Sequence, residues 1–209
     1  MKLIVISSSK NSADDSKIMT ELFENGLGTF HLRKPTMSTK DMSSLIDSVP
    51  EHFRDRIVLH SHHKLVSKYN LRGVHLTGVH RRRKFSTWFR LKMLRMKIDN
   101  LTVSTSFHKL AHVYTNKEVY DYLFLGTIFD RLSNKYHAGY SEHNIRAVIQ
   151  KSSIPLIARG GTSADVISLC ADLKFAGIAF SSAIWDTDSP IQSWAKILNT
   201  CKEQSIPVE

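Results

Sequence analysis

The chain has 209 residues, of which 42% are hydrophobic, and carries a formal net charge of +10. That composition is too apolar for a disordered chain, and the length allows one large domain or two small ones with a substantial core. The two cysteines, Cys170 and Cys201, lie far apart and outside any C-x-x-C pattern, which reads as reduced thiols. Four consecutive apolar residues near the start, Leu3 to Ile6, are too few for a secretory core, and no stretch approaches a membrane span. The expectation is a soluble, cytoplasmic protein with no membrane partner.

Short β-branched runs recur along the chain. They read KLIVIS (Lys2 to Ser7), TFHLR (Thr29 to Arg33), RIVLHS (Arg56 to Ser61) and GVHLT (Gly73 to Thr77). LTVSTS (Leu101 to Ser106), YLFLG (Tyr122 to Gly126), IPLIARGG (Ile154 to Gly161) and GIAFSS (Gly177 to Ser182) complete a set of eight. Polar-apolar intervals such as Ser16 to Asn25 and Ala164 to Lys174 read as helices, the second with Thr162 or Ser163 as its N-cap. The interval from Ser61 to Gly73 holds a short helix at most. Much of the positive charge sits in HRRRKFSTWFRLKMLRMK, His80 to Lys97, where Trp88, Phe89, Leu91 and Leu94 fall at roughly helical spacing. A solvated helix face is the preferred reading of that run. Nucleic-acid binding is the minority one, and attraction of a phosphorylated small molecule by Arg81 to Arg83 is a third.

Strands that are apolar along their whole length and alternate with helices call for a parallel sheet covered on both faces. Eight such units predict a single (β/α)8 TIM barrel over residues 1–209, with an open doubly wound sheet as the runner-up. Barrel chemistry sits at the C-terminal ends of the strands. Those ends include the histidine-rich segment His60 to His63. A strand continuing past Leu59 would put His60 and His62 on one face, while His63 starts a helix.

The most specific signal is ARGGTS after the seventh run and FSSAIW after the eighth. Barrels often hold phosphate with these two loops, because glycines let backbone N–H groups approach an anion closely and a helix start adds a favourable dipole. Gly160, Gly161, Ser181 and Ser182 are the expected phosphate-binding residues.

Six segments, from about Lys2 to Trp185, resemble the thiamine phosphate synthase/TenI superfamily of small barrels. They are HLR (His31 to Arg33), GVHL (Gly73 to Leu76), SFH (Ser106 to His108), DYLFLGTIF (Asp121 to Phe129), IPLIARGG and SAI (Ser182 to Ile184). The resemblance implies a thiazole phosphate, or a related phosphorylated heterocycle, as ligand. It implies Arg33, Ser106, Thr127, Arg131, Ser133 and Lys135 as substrate-binding positions, and a possible homo-oligomer.

The family contains a Mg²⁺-dependent synthase, which joins an aminopyrimidine diphosphate to a thiazole phosphate, and a TenI-like branch that moves protons on a thiazole carboxylate phosphate without a metal. The positions that carry the synthase's metal-binding Asn-Asp pair and Asp fall here on Ser61, His62 and His80. Mg²⁺ prefers oxygen ligands, so the resemblance, with this departure, implies the TenI-like activity and no cofactor. His62, then His31, are the expected proton-transfer residues. The TenI-branch histidine after the strand-six glycine is replaced by Thr127. A divergent synthase using Mg²⁺ and a non-catalytic ligand-binding barrel are the alternatives. A transition metal on His60, His62 and His80 is the only metal alternative to Mg²⁺, since imidazole suits softer ions.

Overall fold

In the computed structural model, eight parallel strands follow one another around a closed barrel in sequence order. The structure describes all residues except 131, 132, 134, 138 and 139. The fold is the expected (β/α)8 barrel, and its strands fall on the eight β-branched runs. By its internal contacts the chain groups into two compact units, Ile6–Thr105 and the remainder, Met1–Val5 with Ser106–Glu209.

Ile6–Thr105 runs from the end of β1 (Lys2–Ile6) through α1 (Asp15–Glu24), β2 (Thr29–Leu32), α2 (Thr39–Asp47), β3 (Ile57–Leu59) and α3 (Lys64–Lys68). It continues through β4 (Gly73–Leu76), α4 (Gly78–Arg82) and α5 (Lys84–Arg95) into β5 (Thr102–Phe107). β2 pairs with β3, β3 with β4 and β4 with β5, placing His31 beside Val58 and His75 beside Ser104. Every residue of β2, β3 and β4 is buried, as strands covered on both faces must be. The segment at the first expected helix folds as α1, with Met19, Leu22 and Phe23 inward and Phe23 edge-on to Phe30.

The other unit holds β1, α6 (Leu110–Tyr114), β6 (Tyr122–Leu125), α7 (Glu142–Lys151), β7 (Leu156–Arg159), α8 (Ile167–Asp172), β8 (Gly177–Phe180), α9 (Ser182–Trp185) and α10 (Pro190–Glu203). β6 pairs with β7, β7 with β8 and β8 with β1. Ser163 is the cap of the turn that leads into α8, its hydroxyl accepting from the Asp165 N–H at 3.3 Å. Phe124, Phe129, Phe180, Ile184 and Trp194 fill the interior.

One expectation is corrected. β3 ends at Leu59 and His62 sits at φ +52°, so His60 and His62 do not share a strand face. The basic run forms α4 and α5, and α5 presents the expected solvated face, with only Thr87 and Leu94 buried and Trp88 and Phe89 more than half exposed. No helix among the described residues is long and apolar enough to cross a membrane.

Candidate functional site

β7 delivers Gly160 and Gly161, and β8 delivers Ser181 and Ser182, as the sequence predicts. The two turns are neighbours. Arg159 is in register with Ala179, and the buried Thr162 hydroxyl donates to the Ala179 carbonyl at 2.6 Å. Both glycines hold positive φ, +86° and +68°. The Gly160 carbonyl accepts from the Phe129 N–H at 3.1 Å. Among the described residues, no carbonyl accepts from the N–H of Gly160 or Gly161. A side chain at Gly161 would drive its Cβ to 2.1 Å from the Phe129 carbonyl oxygen. The chain therefore passes closely over its neighbour, and among the described residues these amides have no backbone acceptor, an arrangement compatible with an anion cradle.

Of the other substrate-binding positions in this unit, Ser106 is half-buried, and Thr127 and Lys135 are exposed. Ser133 is exposed, with its N–H and hydroxyl on the Asp130 carboxylate at 2.9 and 3.0 Å. Arg131 lies outside the described residues.

In Ile6–Thr105 the histidines separate into different roles. His31, His60 and His75 come together at the inner ends of β2, β3 and β4, 0%, 7% and 3% exposed. His31 Nδ1 lies 3.0 Å from His60 Nε2, the His60 and His75 rings stack at 4.2 Å, and His75 Nδ1 is 2.9 Å from the Ser104 hydroxyl. His75 was missed by sequence reasoning, because it lies two residues into a run whose positions are all equally buried.

His62 turns away to brace the segment after β2. Its Nε2–H donates to the Met37 carbonyl at 2.9 Å, and its Nδ1 faces the Thr39 hydroxyl at 2.9 Å. His80 closes the start of α4, with the Thr77 N–H donating to its Nδ1 at 3.2 Å in a reciprocal cap. Arg33 is exposed, and its N–H donates to the Ser7 hydroxyl at 2.8 Å. The neighbouring Lys34 was also missed. Its ammonium is buried against the Asp15 carboxylate at 2.6 Å.

His63 packs against His80, ring centroids 4.5 Å apart, with Arg90 beside it. Burial, then the His80 and Arg90 charges, push its pKa down to about 3. The folded chain refuses a proton there that the unfolded chain accepts, so stability falls as pH drops from about 6.5 toward 3, by on the order of 4 kcal/mol at the bottom of that window. His63→Leu is expected to flatten this loss relative to wild type in urea midpoints taken at about pH 7, 5 and 4. An unchanged pH slope would show that His63 is not the group responsible.

The Mg²⁺ implied for the synthase branch does not fit these residues. Ser61, His62 and His80 offer a hydroxyl and two imidazoles, and the rings of His62 and His80 are engaged in bracing and capping. Among the described residues, the one group of three His, Cys, Asp or Glu side chains close enough to share an ion is His31, His60 and His75, which contains no carboxylate.

A parallel barrel with a glycine turn after β7 beside a serine turn after β8 is the arrangement in which (β/α)8 proteins frequently bind phosphate. The family model for thiamine monophosphate synthase matches residues 3–184, and the chain belongs to that family. A crystal structure of thiamine phosphate pyrophosphorylase from Bacteroides thetaiotaomicron is 27% identical, covers 97% of this chain and 98% of its own, and superposes with a TM-score of 0.75. Two more distant structures share the fold. Thiamine phosphate pyrophosphorylase from Pyrococcus furiosus is 18% identical over 97% and 96% of the two chains, TM-score 0.74. A 3-hexulose-6-phosphate synthase is 14% identical over 96% and 99%, TM-score 0.65. No curated protein matches the chain.

Proposed function

We propose that the protein binds a thiazole phosphate in thiamine biosynthesis and isomerises its carboxylate form by metal-independent proton transfer. The observation that carries the reading is the pair of amides at Gly160 and Gly161, without a backbone acceptor among the described residues, beside the Ser181–Ser182 turn. Backbone N–H groups converging at one point hold a phosphoryl group strongly, because each bond is charge-assisted. Arg33, Thr127, Arg131 and Lys135 are further candidates for the substrate's oxygens.

For the proton transfer His60 is the better residue and His31 its partner. His60 is the most exposed of the three clustered rings at 7%, and its Nε2 is paired with His31 Nδ1, which couples the protonation of the two rings. The base takes a proton from one atom of the heterocycle and returns it to another, so the reaction is balanced without a co-reactant. His62, which the sequence favours, has both ring nitrogens engaged with Met37 and Thr39 and fits a bracing role.

A synthase is the second reading, favoured by the 27% identity to a pyrophosphorylase and opposed by the missing carboxylates. Isomerisation of thiazole carboxylate phosphate, followed by chromatography with EDTA present, tests the choice. His60→Ala is expected to cost about 10²–10⁴-fold in rate and His62→Ala far less. Mg²⁺-dependent release of pyrophosphate from the two synthase substrates would replace this reading by the synthase. Binding without turnover would replace it by a non-catalytic barrel.

A further inference from the structure

We infer that His31, His60 and His75 form a binding site for one divalent transition-metal ion of the zinc class. The three side chains come from β2, the residue after β3, and β4, which are consecutive strands, and one ligand atom of each lies within 4.8 Å of the others. All three are buried, so the nitrogens are drawn from a site that excludes most water.

The donor set decides the metal. Three imidazoles and no carboxylate suit Zn²⁺, Co²⁺, Ni²⁺ or Cu²⁺ and are poor ligands for Mg²⁺ or Ca²⁺. Three protein ligands also leave one tetrahedral position for water or a ligand atom. A tetrahedral ion with bonds of about 2.05 Å sets its nitrogens about 3.3 Å apart. The His31 Nδ1 to His60 Nε2 separation is already 3.0 Å. That contact requires a hydrogen between the two nitrogens, so metal binding moves this hydrogen to the other nitrogen of its ring by tautomer exchange. His75 must swing further, because its ring stacks on His60 with only 22° between the planes. With Nδ1 on the Ser104 hydroxyl at 2.9 Å, Nε2 is the nitrogen available as ligand atom, and Ser104 is the outer partner that would orient the ring by accepting from Nδ1–H.

These residues differ from the set the sequence suggested. His62 and His80 are committed to bracing and to a helix cap, and His31 and His75 take their places around His60. The site rests on this geometry alone. Only its consequence for turnover rests on the reading above: an ion on His60 would occupy the proton acceptor, so Zn²⁺ would inhibit the isomerisation.

Titration of the chelator-stripped full chain with Co²⁺, followed by visible absorption, tests the site without any activity assay. The expected result is a ligand-field band saturating at one ion per chain, displaced by Zn²⁺ and unaffected by Mg²⁺. His75→Gln, which keeps the side-chain bulk, is expected to abolish the band, and Ser104→Ala to weaken binding about ten-fold. His62→Ala and His80→Ala are expected to leave it unchanged. No band in the wild-type chain, a band surviving in His75→Gln, or a band lost with His62 or His80 would overturn the site. Should variants misfold, anomalous scattering from a Zn²⁺-soaked wild-type crystal decides: an ion among the three rings supports the inference, and zinc found only elsewhere overturns it. Failure of the isomerase reading would leave the Co²⁺ spectrum in place, so the two are separable.

Discussion

Asp15→Ala is expected to destabilise the protein by about 3–5 kcal/mol, because it strands a buried ammonium. The Lys34 and Asp15 side chains are 0% and 7% exposed, with Nζ to Oδ2 at 2.6 Å. The same ammonium donates to the Lys10 carbonyl, and the Asp15 carboxylate also accepts from the Ser12 N–H at 2.9 Å. The pair ties the first residue of α1 to the residue two beyond β2. Removing the carboxylate leaves the cation with one neutral acceptor in a medium that solvates it poorly. Removing both charges is a different perturbation, so Asp15→Ala/Lys34→Met is expected to recover most of the loss. Urea denaturation measures both. A single-variant loss below about 1 kcal/mol would place the pair among solvent-screened contacts.

Gly161→Ala is expected to cost about 3 kcal/mol, more than glycine's conformational freedom alone explains. At φ +68° an alanine pays about 1–2 kcal/mol for the left-handed conformation, and its Cβ would stand 2.1 Å from the Phe129 carbonyl oxygen. Phe129 is fully buried and stacked on Tyr136, so the carbonyl cannot retreat cheaply. Gly26 supplies the control. It has φ +85°, and a Cβ added there would meet nothing within 4 Å, so Gly26→Ala pays the backbone cost only. Equal losses at the two positions, read from denaturation midpoints, would show that close approach at Gly161 is not what demands glycine there.

The barrel was legible because its strands are parallel and covered on both faces. Each reads as an unbroken apolar run, and the eight runs match the eight strands to within a few residues at each end. The positions of the two turns expected to hold phosphate were legible for a related reason: Gly-Gly and Ser-Ser stand directly after β7 and β8.

The histidines were harder for the same reason that made the strands easy. In a run buried on both faces, hydropathy does not mark which residues point toward one another, so His75 looked like any other strand residue. The three-in-four clustering of His60, His62 and His63 suggests one group, but the structure separates the three rings. Their separation depends on the end of β3 at Leu59 and on the positive φ of His62, neither of which leaves a mark in the sequence. The Lys34–Asp15 pair joins residues nineteen apart in the chain and had no local signal at all.

Calorimetric binding of thiazole phosphate and of the same thiazole without its phosphate, to the wild-type chain and to Ser182→Asp, tests the anion cradle most directly. Two charge-assisted amide bonds are together worth about 3 kcal/mol, so the phosphorylated compound is expected to bind about a hundred-fold more tightly. Ser182→Asp, which sets a carboxylate beside the open amides, is expected to erase that preference while the chain stays folded. Equal affinity for the two compounds, or a preference untouched by the aspartate, would contradict it.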